Sequence, residues 1–145
     1  MNKFKFKPDN ILKLRQAKSD EIKTEMARLL SQKATLILKI ESLNSLVFSS
    51  LSDLKKVDRM TISDIRDRQE RLLSLKGAKE AAELELQNLE LQIGNVRTKF
   101  MQAMRDLKIM ENLRDKKLRE FEKSRGRTEQ KTLDEQGTQR FLRND

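Results

Sequence analysis

Two stretches of heptad-spaced apolar residues, one on each side of a short break near residues 58–63, constrain this chain more than any other feature. Steps of three and four residues alternate along both, which is the a/d pattern of a coiled coil. The first seam comprises Leu12, Ile22, Met26, Leu29, Leu36, Ile40, Leu43, Val47, Leu54 and Val57, with gaps at Arg15, Ser19 and Lys33. The second comprises Ile65, Leu72, Leu75, Ala82, Leu86, Leu89, Ile93, Val96, Phe100, Ala103, Leu107 and Met110, and weakens toward Phe121. Such narrow stripes build long helices and leave no compact interior for a catalytic pocket.

The composition agrees with long helices and argues against an enzyme. Charged residues make up 38% of the 145 residues, and four Gly and one Pro leave little material for turns. The absence of Cys and His excludes disulfides, thiol nucleophiles, His bases and Cys or His metal sites, so no cofactor and no metal are expected. No run of 18 apolar residues and no signal-peptide core is present, which predicts a soluble cytoplasmic protein without a membrane-spanning helix.

The first helix is predicted over about residues 9–57, after a basic lead-in at residues 1–8. Pro8 disfavours helix at Lys7, and Asp9 fits an N-cap or first-turn acid. We expect Phe4 and Phe6 to staple onto the first turn of this helix, and Phe48 to pack near the bend. A membrane or partner anchor is the alternative for the first two rings, and a partner contact is the alternative for Phe48.

The bend is predicted at residues 58–63 and the second helix over about residues 64–125. Thr61 followed by Asp64 resembles a capping box, while Ser63 is an alternative cap. Gly77 marks a candidate kink, but we expect only mild distortion because the seam register continues from Leu75 to Ala82. Residues 126–145 are expected to form a polar tail that frays when the protein is alone.

The two seams predict an all-α fold in which two long helices form an antiparallel coiled-coil hairpin, a single domain over residues 1–145. A parallel rod would need a straight break and a second chain. The net charge of +9 is uneven, with +6 over residues 1–60, −2 over residues 61–96 and +5 over residues 97–145. In a hairpin the end that carries both termini would therefore be basic and suited to an acidic partner.

Each end of the chain carries a recognisable motif. The opening FKFKPDNILKLRQAKSDE has the pattern F-x-F/L followed by L-x-x-R-x-x-x-x-D/E, and the segment EQKTLDEQGTQRF at residues 129–141 has the pattern E-Q-K-x-L-D-E-x-x-x-x-R-F. The two motifs resemble the start and the ending of the FliJ family of the flagellar type III export apparatus, and the ending is the more specific of the two. The middle of the chain matches only by pattern, and Gly137 stands where the family usually has a helix former.

The resemblance implies a non-enzymatic hairpin similar to the central stalk of rotary ATPases. It implies three partners: a FliI-like hexameric export ATPase, an FlhA-like export gate and export chaperones, with peripheral association at the inner membrane. The implied ATPase-binding residues, at the open end, are Leu12, Arg15, Phe121, Arg125, Arg127, Gln130, Lys131, Leu133, Asp134, Arg140 and Phe141. The implied gate-binding residues, near the bend, are Leu72, Leu75 and Ala78.

Three other functions fit a basic coiled coil. One is the equivalent stalk of a virulence type III secretion system, and another is a structural spacer or dimerisation module with no ATPase partner. The third is nucleic-acid binding, which is disfavoured because aromatic residues do not alternate with the basic ones and no nucleic-acid motif is present. A stalk should be monomeric when alone, whereas a spacer should form a stable dimer.

Overall fold

The computed structural model describes residues 3–56 and 59–144 and contains two long helices, α1 (Asp9–Lys55) and α2 (Ile62–Asn144). The predicted all-α hairpin is therefore confirmed. Val57, the last residue of the first predicted seam, and Asp58, the first of the predicted bend, lie outside the described residues. The chain divides into two compact units, unit 1 (Met1–Asp20 with Met101–Asp145) and unit 2 (Glu21–Phe100).

In unit 2 the two helices run antiparallel. Lys33 Nζ lies 3.7 Å from Glu90 Oε1, while nearer the turn Arg68 Nη1 donates to the backbone carbonyl of Asp53 at 3.0 Å. The predicted seam residues face inward: Ile22, Leu29, Leu36, Leu72, Ala82, Leu89, Ile93 and Val96 are buried, and Met26, Ile40, Leu43, Val47, Leu54, Ile65, Leu75, Leu86 and Phe100 are half-buried. This arrangement is expected when a/d side chains interlock across two helices.

The gaps in the apolar pattern do not interrupt the seam, because polar side chains occupy a and d positions there. Lys33 and Arg68 are half-buried and Ser50 is buried, all at three- or four-residue steps from their apolar neighbours. The long stems of Lys and Arg cover apolar surface while their charged ends reach polar partners. Arg68 also satisfies one of the last carbonyls of α1, which have no partner within that helix.

The turn between the helices uses the predicted capping box. The Asp64 N–H donates to Thr61 Oγ1 at 3.1 Å, and the Thr61 N–H donates to Asp64 Oδ2 at 3.3 Å. The Thr61 carbonyl accepts from Ile65 N–H at 3.1 Å, so Thr61 rather than Ser63 caps α2. Arg59, with φ of 63°, lies in the left-handed region and reverses the chain before this cap.

In unit 1 the first turns of α1 pack against the middle of α2. Leu12, Leu107 and Met110 form a buried cluster, with Phe6 packed against it. The Pro8 carbonyl accepts from Leu12 N–H at 3.0 Å, and Asp9 is the first-turn acid and pairs with Lys13 at 3.4 Å. The predicted start of the first helix is therefore confirmed.

Helix α2 is longer than its sequence pattern predicts. It passes through Gly77, the candidate kink, without a break, and continues past residue 125 to Asn144, where a frayed polar tail is expected. Gly126 and Gly137 lower helix propensity, but local side-chain pairs and the absence of Pro after residue 8 leave nothing that stops the helix.

One stretch of α1 is apolar enough to cross a membrane by length and composition, which differs from the expectation of no such segment. It has a mean hydropathy of 1.2 over 18 residues, of which 11% are buried. Core helices of soluble proteins and signal sequences meet the same criterion. The apolar run at residues 34–51 carries Lys39 and Glu41 in its middle, so it would place two charges inside a bilayer.

Candidate interaction surfaces

The most exposed part of unit 1 is the last stretch of α2, residues 122–143, which we call the unpaired helix. Every residue in it is exposed. Its helical form is supported locally, because Arg125 Nε lies 3.1 Å from Glu129 Oε1 and Gln130 Nε2 donates to Asp134 Oδ1 at 3.0 Å. Such i,i+4 pairs stabilise a helix by about 0.2–0.5 kcal/mol each. The unpaired helix therefore presents all its side chains to solvent.

Eight of the predicted ATPase-binding residues lie on the unpaired helix. All are exposed: Arg125, Arg127, Gln130, Lys131, Leu133, Asp134, Arg140 and Phe141. Leu133 and Phe141 are two helical turns apart on one face, with Gly137 between them. Glu129, Gln130 and Gln136 lie one helical turn from Leu133, and Arg140 precedes Phe141, so the apolar strip is bordered by polar groups of both charges. An apolar strip with a polar rim is typical of a surface that binds another protein.

The other three predicted ATPase-binding residues lie in the packed part of unit 1. Leu12 belongs to the buried cluster, and Arg15 is half-buried and donates from Nη1 to the Asp106 carbonyl at 3.0 Å. Next to them Ser19 is buried and donates to Met104 Sδ at 3.3 Å. Leu12 and Arg15 thus hold α1 against α2, and neither presents a free side chain.

Phe121 lies beside the N-terminal arm, residues 3–8. Its ring centroid is 5.6 Å from that of Phe4, with the planes tilted by 51°. The arm therefore reaches α2, and the predicted staple onto the first turn of α1 describes only Phe6, which packs on the cluster containing Leu12. The alternation of Lys and Phe in the arm could have predicted this contact from the sequence. An extended chain directs alternate side chains to opposite sides, so both Phe rings can face α2 while the Lys residues face solvent.

The three predicted gate-binding residues of unit 2 differ in accessibility. Leu72 is buried, with 8% of its surface exposed, and Leu75 is half-buried, because both occupy seam positions. Only Ala78 is exposed. A partner could contact Leu72 only if the hairpin opened.

Unit 2 also carries large apolar side chains on its outer surface that the seam pattern does not identify. On α2 these are Ile62, Leu73, Leu84 and Leu91, and on α1 they are Leu30, Ile37, Leu38, Leu46, Phe48 and Leu51. Phe48 is 75% exposed, so the expectation that it packs near the bend is wrong. It stands one position beyond Val47, on a face of α1 that α2 does not cover.

The acidic residues of the described part of the chain are dispersed along the two helices. Over residues 3–56 and 59–144, no group of three or more acidic residues could hold a metal ion. The ion pairs are solvent-exposed or half-exposed, as in Lys79–Glu83 and Lys117–Glu120, and such pairs contribute little stability. The surfaces described above are suited to binding other proteins.

The comparison with protein families agrees with this interpretation. The family model described as Flagellar FliJ protein matches residues 5–145, nearly the whole chain. No match was found among curated proteins or among solved structures. The match includes the C-terminal motif, the opening motif from its second residue, and both helices. The chain therefore belongs to the FliJ family, the non-enzymatic coiled-coil components of the flagellar type III export apparatus.

Proposed function

We propose that this protein binds the hexameric export ATPase through unit 1, as a central-stalk-like subunit. The observation that carries the proposal is the unpaired helix, a fully exposed basic helix with an apolar strip at Leu133 and Phe141. Unit 1 holds 18 Lys and Arg against 11 Asp and Glu, a balance of +7, whereas unit 2 holds 14 against 12, a balance of +2. A socket lined by carboxylates and apolar loops would complement this surface, steering association and fixing register.

The proposed ATPase contacts fall into two groups. The exposed group on the unpaired helix comprises Arg125, Arg127, Gln130, Lys131, Leu133, Asp134, Arg140 and Phe141. Leu12, Arg15 and Phe121 form the second group. Leu12 and Arg15 act by holding α1 against residues 106–110 of α2, whereas Phe121, beside the start of the unpaired helix, is proposed as a direct contact. Interfaces concentrate binding energy in a few side chains, and Arg and large apolar residues are frequent among them.

A pull-down and ATP-hydrolysis assay with the export ATPase of the same organism tests this proposal. The full chain is compared with a chain that ends at Lys123. The residues removed, as far as residue 143, are all exposed, so the shortened chain should have the same thermal unfolding midpoint. We expect the full chain to bind and to stimulate hydrolysis, and the shortened chain to lose both effects. No binding by either folded chain would contradict the proposal and favour a structural spacer, especially if the protein is a stable dimer.

A charge reversal locates the contact more finely. Replacing Arg125, Arg127 and Lys131 by Glu should weaken ATPase binding with little change in helicity, because all three are exposed. The matched control reverses three exposed cations of unit 2, Arg66, Arg71 and Lys76. Equal losses of ATPase binding in the two triple variants would indicate general electrostatic attraction and would contradict a specific contact on the unpaired helix.

We further propose that unit 2 links the ATPase to an FlhA-like export gate, and that the protein escorts export chaperones at the cytoplasmic face of the inner membrane. The gate contact is proposed around Leu72, Leu75 and Ala78. Since Leu72 and Leu75 lie in the seam, the accessible residue of this surface is Ala78. We expect Ala78→Asp to abolish gate binding and to leave ATPase binding intact. Unchanged gate binding would exclude this surface.

A further inference from the structure

We infer that the N-terminal arm, residues 3–8, is a latch that covers an apolar patch on α2 and must undock before a partner can contact that patch. The patch consists of the half-buried Leu118 and Phe121, with Leu113, 37% exposed, at its edge. These residues follow Met110, the last buried position of the α2 seam, and no helical part of α1 lies beside them in unit 1 because α1 begins only at Asp9.

The arm is built to lie on this patch. Phe4, Phe6 and Pro8 are half-buried, whereas Lys3, Lys5 and Lys7 are exposed, the two-residue alternation of an extended chain with one side against a surface. Phe4 contacts Phe121 with the ring planes tilted by 51° and the centroids 5.6 Å apart, and Phe6 packs on Leu12, Leu107 and Met110. The next seam positions of α2, Arg114 and Lys117, are charged and exposed, so Phe121 is the apolar seam position beyond Met110 on which the arm packs.

The docking is loose enough to be reversible. A space of about 590 Å³ remains between the arm and α2, lined by the arm together with Leu113, Lys117 and Phe121. Two half-buried aromatic rings provide far less stabilisation than a packed core layer, and the backbone hydrogen bond of the arm is local, from Asp9 N–H to Phe6 O. The three exposed lysines that alternate with the rings, Lys3, Lys5 and Lys7, would also attract an acidic partner to the arm and favour its release.

The latch also limits ATPase binding at the open end, an inference that rests on the proposed function. Phe121 is one of the proposed ATPase contacts, and in this structure its ring is occupied by Phe4. The ATPase can therefore contact the part of the Phe121 ring that Phe4 covers only after the arm has undocked. The arm sets the fraction of the protein that is competent to bind, and the apparent affinity falls in proportion to that fraction.

Thiol labelling tests the latch without any partner, because the chain has no Cys. In the full chain, Leu113→Cys places a single thiol at the edge of the space beside the arm, and Leu133→Cys places one on the unpaired helix as a control. We expect Phe4→Ser to accelerate maleimide labelling of Leu113→Cys at least severalfold and to leave Leu133→Cys unchanged. Lys5→Ser, which alters an exposed arm residue, should change neither rate. Equal labelling of Leu113→Cys with and without Phe4→Ser would overturn the latch.

A fluorescence measurement tests docking from the side of the arm. The chain has no Trp, so Phe4→Trp reports on residue 4 alone. We expect its emission to be blue-shifted and protected from iodide compared with Phe48→Trp, whose site is 75% exposed, and we expect Phe121→Ala to remove that protection. If iodide quenched the emission of Phe4→Trp as strongly as that of Phe48→Trp, docking of the arm would be contradicted. This result would hold even if the thiol variants proved unstable.

Binding to the export ATPase then tests release. If the arm is docked about nine-tenths of the time, Phe4→Ser should tighten binding by about tenfold, and Lys5→Ser should not tighten it. Unchanged or weaker binding by Phe4→Ser would overturn the gating role. Absence of ATPase binding by every variant would contradict the proposed function instead, and the labelling rates would still decide whether the latch exists.

Discussion

Residues 62–100 of unit 2 and residues 122–144 of unit 1 belong to the same helix, α2, but they are stabilised in different ways. The first stretch buries or half-buries a side chain at each three- or four-residue step, whereas no described side chain of the second is buried. Both are highly charged, with 14 charged residues of 39 and 10 of 23. The difference therefore lies in the apolar period, which decides where two helices pair.

The two stretches of α2 differ in what stabilises them and in how accessible they are to a partner. Packing of an apolar face supplies most helical stability in proteins, so the unit 2 stretch should unfold only together with its partner helix. The unpaired helix has only local pairs such as Arg125–Glu129, and it should melt progressively from its end. A helix of the second kind is free to bind a partner without first giving up internal contacts.

The largest expected effect comes from a charge in the unit 2 seam. Leu89→Asp or Ile93→Asp should lower the free energy of unfolding by about 3–5 kcal/mol, because a buried carboxylate without a partner replaces a packed side chain. Thermal unfolding followed by circular dichroism at 222 nm measures the loss. The matched control is Leu91→Asp, two residues from Leu89 and 69% exposed, which should change stability by about 0.5 kcal/mol or less. Similar losses in Leu89→Asp and Leu91→Asp would mean that the seam is wrongly assigned.

The next effect tests whether the turn belongs to the cooperative part of the molecule. Thr61→Ala removes the side-chain half of the capping box and should cost about 1 kcal/mol of unfolding free energy. Thr128→Ala removes a hydroxyl that bonds the Ser124 carbonyl within the unpaired helix, and it should leave the unfolding midpoint unchanged. Equal midpoints for Thr61→Ala and the original chain would show that α2 does not need this cap.

Most of the paired fold could be predicted from the sequence, because the heptad period is a strong and repeated signal. The capping residues Thr61 and Asp64 and the start at Asp9 also have local chemistry that can be identified without a structure. The polar seam positions were harder to predict. Arg68 and Ser50 break the apolar pattern, and their places become evident only when the step is extended through them.

The accessibility of individual side chains is less predictable than the fold. Leu72 and Leu75, which the family resemblance implies as gate contacts, are buried and half-buried by their seam positions, and Phe48, expected to pack near the bend, is exposed beside the seam. Helix to Asn144 was not expected either, because Gly126, Gly137 and polar composition suggest a frayed tail. Propensity alone does not determine the end of a helix when several i,i+4 pairs support it.

Gly94 lies in the paired part of α2 and Gly137 lies in the unpaired helix, so replacing each one tests how that part of the helix is stabilised. A Cβ at Gly94 or at Gly137 would meet no atom within 4 Å, so Ala fits at both positions. Each Gly→Ala change should favour helix by about 0.5–1 kcal/mol. We expect Gly94→Ala to raise the midpoint of global unfolding, and Gly137→Ala to raise only the helicity of the unpaired helix, measured by backbone chemical shifts. A rise in the global midpoint with Gly137→Ala would show that the unpaired helix unfolds with the rest.

The smallest expected effect concerns the ion pair of the unpaired helix. Glu129→Gln removes the pair with Arg125 and should reduce local helix stability by about 0.3–0.5 kcal/mol, and the reduction should shrink in high salt because both groups are exposed. The control, Glu83→Gln, removes the i,i+4 pair with Lys79 in unit 2, where packing holds the helix regardless. Amide hydrogen exchange near residue 129 should rise in the first variant, while exchange near residue 83 should stay unchanged in the second. If both segments responded equally, local pairs would matter as much in the seam as outside it, and packing would not be what separates the two parts of α2.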